Sequence, residues 1–279
     1  MNDDLPPLRE VIALHDLGAK KALGQHFLLD LNITRKIARA AGAGADDIIL
    51  EIGPGPGGLT RALLETGASV VAIERDRRFI AALNDVREAY PATLTVVEAD
   101  ALRADERALA GAAPVKIVSN LPYNISTELL VKWLIANHAG GAPLWSRMTL
   151  MFQKEVADRI LAGPGSKTYG RLSVIAQAAS RPARAFDLPA RAFTPPPKVD
   201  SSVVNFDPAP ARLPDIAALE RLTQAAFSQR RKMLRSSLKP LWGDRVEARL
   251  AAAGIDSTKR AEEIDIASFL RLADAPVSG

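Results

Sequence analysis

Apolar residues recur along this chain in five short runs rich in Val and Ile, at 48–52, 69–74, 94–97, 115–119 and 149–153. Between these runs the apolar positions fall three and four residues apart, the spacing of helices with one buried face. Strand and helix in alternation predict a parallel sheet with helices on both faces. Residues 1–18 read as a lead-in. After Arg181 the texture changes: 185–189 and 202–206 read as two further strands around the rigid Thr194-Pro195-Pro196-Pro197 segment. The expected layout is an α/β domain over 1–205, a Pro-rich linker over 206–214 and a small helical domain over 215–279.

Composition narrows the function classes. At 279 residues the chain can form one large domain and a small one. Its 48% hydrophobic and 24% charged residues are those of an ordinary globular protein, and no apolar run approaches the ~18 residues of a membrane span. The acidic start, Met1-Asn2-Asp3-Asp4, lacks an apolar stretch, so no secretory or mitochondrial leader is expected and the cytoplasm is the expected compartment. Cysteine is absent, which excludes disulfides, thiolate metal sites and a Cys nucleophile. The three histidines, His15, His26 and His138, are scattered, so no metal is expected. A net charge of +4 permits an anionic partner without requiring one.

Candidate chemistry collects where the runs end. Asn120-Leu121-Pro122-Tyr123 follows the fourth run. Asn120 offers a carbonyl acceptor, Leu121 its backbone carbonyl because Pro122 keeps the chain extended, and Tyr123 a ring for stacking. Together they suit an exocyclic amine on a flat base. Glu51-Ile52-Gly53-Pro54-Gly55-Pro56-Gly57-Gly58 follows the first run. Its glycines let the backbone approach a ligand. The spacing is not the G-x-G-x-x-G of a dinucleotide site, and its prolines offer no N–H to phosphate. An uncharged nucleoside bearing an amino acid fits better. Glu74 closes the second run, where a carboxylate can accept both ribose hydroxyls, and Asp100 stands past the third, where an acid can take an adenine amino group.

A basic stretch lies further on. From Phe227 to Lys239 the chain carries Arg230, Arg231, Lys232, Arg235 and Lys239 and no acid. Taken as one helix, it would put Phe227, Leu234, Leu238 and Leu241 on one face. Lys232, Arg235 and Lys239 would lie opposite, with Arg230 and Arg231 at the borders. Such a face is usually only solvated, but one-signed charge beside a base-modifying domain favours phosphate contacts.

With these features assembled, the sequence resembles the class I S-adenosylmethionine (SAM)-dependent methyltransferases, and within them the bacterial small-subunit (16S) rRNA adenine N6,N6-dimethyltransferases. Seven stretches carry the resemblance, in the family's order. They are Lys20-Lys21-Ala22-Leu23-Gly24-Gln25-His26-Phe27-Leu28, the glycine loop, Asn120–Tyr123, Gln153-Lys154-Glu155-Val156, Tyr169-Gly170-Arg171-Leu172-Ser173, Phe193-Thr194-Pro195-Pro196-Pro197-Lys198-Val199-Asp200 and Gln229-Arg230-Arg231-Lys232. The resemblance implies a Rossmann-like sheet with SAM as cofactor. His26 and Leu28 would cover it, Gly53 back it, Glu74 hold its ribose and Asp100 its adenine, while Asn120 faces the reacting centre. His26 stands where the family commonly has Asn, and Ser236 where its basic segment often carries Asn. Tyr123 is expected to stack on the target base, with Phe193 a second candidate fixed by the prolines after it. The implied activity is N6,N6-dimethylation of two adjacent adenines near the 3′ end of 16S rRNA, in a small-subunit assembly intermediate, by a monomer that takes part in ribosome biogenesis.

Three other readings stay open at this point: a methyltransferase for 23S rRNA or DNA adenine, an RNA-binding assembly or transcription factor without catalysis, and an NAD-dependent dehydrogenase. The helical tail and the Gly24–Leu28 form weigh against the first, the intact Asn120–Tyr123 against the second, and the glycine spacing against the third.

Overall fold

The computed structural model describes residues 5–18, 25–111 and 114–274. Lys20 to Gly24 of the first resembling stretch lie outside the described residues. Among the described residues nine strands form: β1 Phe27–Leu28, β2 Ile48–Ile52, β3 Ser69–Glu74, β4 Leu94–Glu98, β5 Val115–Ser119, β6 Trp145–Gln153, β7 Ser180–Leu188, β8 Phe193–Thr194 and β9 Ser201–Pro208. Seven make one sheet in the order β4-β3-β2-β5-β6-β9-β7, while β1 and β8 pair separately, antiparallel. The pairs β2–β3, β3–β4, β2–β5 and β5–β6 are parallel, and β9 joins β6 antiparallel.

This order explains where a ligand can sit. The chain steps outward from β2 to β3 to β4, then returns to lay β5 on the other side of β2. Loops leaving β2 and β5 therefore diverge and open a crevice at their carboxyl ends, the switch point of an open α/β sheet. The central strands are apolar nearly throughout because helices cover them; β2 and β3 are buried except at their first residues. Edge strand β4 has only Leu94 fully buried. The sheet begins its sixth strand at Trp145, four residues earlier than the apolar run suggests, because Trp145 and Met148 are buried while Ser146 between them faces out.

The chain divides into two compact units. One comprises Met1–Trp133, Ala142–Ala157 and Ala183–Asp207; the other comprises Leu134–Gly141, Asp158–Pro182 and Pro208–Gly279. The expected single boundary after 205 needs correction on two counts. Residues 158–182 belong with the second unit, because Tyr169, Val174 and Ala178 pack into its core with Leu219, Leu222 and Phe269. Residues 206–208 are not linker but the end of β9.

The basic stretch is also not one helix. Helix Ile216–Phe227 stops at Phe227; turns follow, then two four-residue helices, Leu234–Ser237 and Lys239–Trp242. The cause is pairing outside the segment. The N–H groups of Leu234 and Arg235 donate to Lys259 O at 2.7 Å and Ser257 O at 3.2 Å, so neither joins an i→i−4 ladder. Pro240 then opens the next turn, where its missing N–H costs nothing. Leu234 and Leu238 remain buried, but Leu241 is exposed.

Candidate active site at the carboxyl edge of the sheet

A cavity of about 500 Å³ lies beyond the ends of β2, β3 and β5, lined by the glycine loop, Glu74 to Asp76, Asp100 to Leu102 and 120–125, with His26 and Leu28 at its wall. Two glycine positions show why the loop needs that residue. Gly55 has φ +55°, and its N–H donates to Glu74 Oε2 at 3.3 Å. A Cβ on Gly58 would stand 2.7 Å from Leu28 O, so any side chain would push β1 off the loop. The ends of the two central strands are tied together by Ser119 Oγ, which donates to Ile52 O at 2.6 Å.

The acids of the cavity differ in their surroundings. Glu74 is 7% exposed, and its Oε1 accepts from the N–H groups of Arg75 and Asp76, each at 2.8 Å. Burial raises its pKa, opposed by the N–H groups of Asp76, Gly55 and Arg75. Asp100 Oδ1 accepts from Leu102 N–H at 3.1 Å, and Arg75 Nη1 donates to its Oδ2 at 3.4 Å. Glu51, on β2, is a third acid to which the motifs assigned no role. It is 1% exposed and receives the Thr60 hydroxyl at 2.7 Å. Burial pushes its pKa up to about 8, with the Thr60 bond pulling down and Glu74 adding a smaller push upward. The signal in sequence is a lone charge inside the apolar run Ile-Ile-Leu-Glu-Ile. A fully buried carboxyl without a counter-ion is rare enough to mark a site.

The tetrapeptide is held from several directions. Asn120 Nδ2 donates to His26 O at 3.1 Å, which leaves its Oδ1 acceptor without a partner among the described residues. Tyr123 OH bonds Ser201 Oγ at 2.7 Å, burial raises its pKa, and its ring lies 5.6 Å from that of His26. The His26 ring in turn donates from Nδ1 to Pro195 O at 2.7 Å. Leu121 is buried at the cavity wall.

His26, Leu28, Gly53, Glu74, Asp100, Asn120, Leu121 and Tyr123 thus meet at one cavity. Phe193 does not. It is 2% exposed, faces Leu28 across the β1–β8 pair and packs among Leu28, Met151, Leu188 and Val203. It is a core residue, because the strand it occupies turns its ring inward. Other resembling stretches serve the frame: Lys154 Nζ reaches Asp187 at 2.7 Å and with Ser202 holds that carboxyl at about 2, and Tyr169 OH donates to Ile264 O. In the basic stretch Arg230 is tied to Glu262 at 2.7 Å and to Lys167 O, while Arg231, Lys232, Arg235 and Lys239 are exposed. Among the described residues no group of three or more His, Asp or Glu could hold a metal ion, and no helix is long and apolar enough to cross a membrane.

The ribosomal RNA adenine dimethylase family model matches residues 17–276. The Ribosomal RNA small subunit methyltransferase A of Phenylobacterium zucineum is 58% identical over 275 residues, covering 98% of this chain and 93% of that protein. Its counterpart in Mesorhizobium japonicum is 57% identical over 280 residues, covering 98% and 99%. Among solved structures, a dimethyladenosine transferase from Plasmodium falciparum superposes with a TM-score of 0.72 at 29% identity, over 88% of this chain and 96% of that one. The 23S rRNA methyltransferase ErmE does so at 0.66 and 27% identity, over 89% and 98%. A switch-point cavity with two buried acids, an anchored Asn-Leu-Pro-Tyr turn and a family match over nearly the whole chain lead to one conclusion: this protein belongs to the ribosomal RNA adenine dimethylases, enzymes that dimethylate adenine in ribosomal RNA with methyl groups from SAM.

Proposed function

We propose that the target is the N6 of two adjacent adenines near the 3′ end of 16S rRNA, in a small-subunit assembly intermediate, and that a monomer does the work in the cytoplasm. The observation that carries the chemistry is the anchoring of Asn120. With one Nδ2–H given to His26 O, the amide is held in place and its Oδ1 is left as an acceptor for an incoming amine. Oδ1 and the Leu121 carbonyl would take the two hydrogens of the adenine amine, favouring a pyramidal nitrogen whose lone pair leaves the ring system. Catalysis is then positioning and electrostatics. Tyr123, held by Ser201 and flanked by His26, offers its ring to the base. The N6 cation formed on transfer is acidic, so no strong base is required.

The cavity fits SAM. Glycines without Cβ let the loop lie against it, and Glu74 and Asp100, which line the same cavity, would accept from its ribose and its adenine amino group. Bound there, SAM supplies a methyl already activated by its sulfonium. His26 and Leu28 would close over it and Gly53 form its back wall. The exposed cations Arg231, Lys232, Arg235 and Lys239, with Arg230 beside them, would hold RNA phosphates. Naming of the relatives for the small subunit supports the 16S target. Mass spectrometry of small-subunit particles incubated with the protein and labelled SAM tests it. Two labelled methyls on each of two neighbouring adenines of 16S rRNA are expected; label confined to 23S rRNA or duplex DNA would overturn the assignment.

A further inference from the structure

The turn that carries Asp100 has a holder that none of the motifs includes. Lys132 lies on helix Ser126–His138, which continues directly from the Asn120–Tyr123 turn: Ser126 Oγ donates to Tyr123 O, and Leu129 N–H to Ile125 O. Six residues along, roughly 9 Å at a helix's rise per residue, the Lys132 ammonium donates to Ala101 O at 3.0 Å, Ala104 O at 2.8 Å and Glu106 Oε1 at 2.8 Å. An ammonium has three donors, and here each has a protein acceptor. Glu106 is itself buried and accepts from Trp133 Nε1 at 2.8 Å, so the carboxylate is pinned by the neighbouring residue of the same helix. Between Asp100 and Glu106 the backbone folds on itself, with Arg103 and Ala104 N–H both donating to Asp100 O at 2.9 Å. The lysine satisfies two carbonyls of this turn that its own backbone leaves without partners.

We propose that Lys132 is a positioning residue: by tying the turn after Asp100 to the helix that leaves the Asn120–Tyr123 turn, it fixes the adenine side of the cofactor cavity in register with the methyl-acceptor side. This rests on the reading of Asp100 as the acceptor of the adenine amino group. A lysine that only braced two helices would affect stability. One that places Asp100 also affects which purine the cavity prefers, because a displaced carboxylate no longer separates an amino donor from a carbonyl.

The test is calorimetry with SAM and with its analogue carrying hypoxanthine in place of adenine, on the wild type and on Lys132→Met. Because removing the ammonium leaves Glu106 buried without its cation, the double variant Lys132→Met/Glu106→Gln is measured alongside, with melting temperatures for each. The wild type is expected to prefer SAM about tenfold or more, the penalty of one mispaired polar group. The variants should lose most of that preference and raise the KM for SAM, while kcat at saturating SAM stays within about twofold. A preference intact in either folded variant overturns the proposal. A wild type that does not discriminate overturns the Asp100 reading, and the proposal with it.

Discussion

The carboxyl edge of the sheet and the basic stretch 228–239 both face substrate in the proposed function, yet they are built on opposite terms. At the edge every functional group is held. Glu74 is clamped by three backbone N–H groups, Asn120 is tied to His26 O, and Glu51 is buried with a hydroxyl as its partner. In the basic stretch Lys232, Arg235 and Lys239 stand on short turns in solvent. A held group in a water-poor cavity acts at short range and its loss is felt at once. A solvated cation acts through a screened field, and its loss is shared among its neighbours. The two regions should therefore answer mutation with different magnitudes and different readouts.

The sharpest contrast lies at Asn120. Asn120→Ala removes the side-chain one of the two acceptors proposed for the amine and is expected to lower methyl transfer by about 10²-fold or more, while SAM affinity changes by no more than a few fold. Single-turnover rates and calorimetry on the same variant read both. Near-normal turnover would mean that the tetrapeptide is only a strand-ending turn and that the edge is no more exacting than the surface.

Glu74→Ala comes next. It strips the acceptor from Gly55, Arg75 and Asp76 N–H and, in the proposed function, from the ribose, so SAM binding should weaken by on the order of 1.5–3 kcal/mol. NAD should remain a weaker ligand than SAM throughout. An unchanged SAM affinity in the variant would remove the ribose role and leave Glu74 as a structural cap of the strand.

The third test uses pH. Glu51 ionises near 4.5 when exposed and at about 8 in the folded protein, raised chiefly by burial. Between those values the folded state binds more protons at this site than the unfolded state does. Its contribution is thus complete below pH ~4.5 and is lost as pH rises to ~8, at up to about 1.4 kcal/mol per pH unit. Urea unfolding of the wild type and Glu51→Gln at pH 5 and pH 8 isolates the effect. Their stability difference should grow in favour of Glu51→Gln toward pH 8; a constant difference would place Glu51 outside the titrating set.

Which parts could be foreseen follows the same division. The strands 48–52, 69–74 and 115–119 end where their apolar runs end, because a covered parallel strand is specified locally by its own side chains. The groups placed at or just past those ends inherit that certainty, so Gly53, Glu74 and Asn120 arrive at one crevice. Phe193 is misplaced by its sequence context because Thr194-Pro195-Pro196-Pro197 says that the chain is stiff but not which way the ring turns; that is set by its pairing with Leu28, far earlier in the chain. Lys132 escapes notice because a lysine on a helix reads as solvated until its three acceptors, in another segment, are known. The basic helix fails for the same cause: the amides of Leu234 and Arg235 take partners at 259 and 257, and no local periodicity records that.

That failure sharpens the last and smallest expectation. Had 227–239 been one helix, Lys232, Arg235 and Lys239 would form a single stripe able to follow a phosphate backbone. On separate turns they can still reach phosphates, but each independently, so their contributions should be additive. Removing one cation from one phosphate lowers the slope of log affinity against log salt by about 0.7–0.9. Replacing all three by Ala should therefore flatten the slope for small-subunit RNA by roughly 2, and each single replacement by about a third of that, with SAM binding unchanged. Arg230 belongs to a different class, since its guanidinium already pairs with Glu262 and Lys167 O. Arg230→Ala should move the melting temperature more than the salt slope. If the triple variant keeps the wild-type slope, the exposed cations merely face water, and the anchorage on RNA must be sought elsewhere on the molecule.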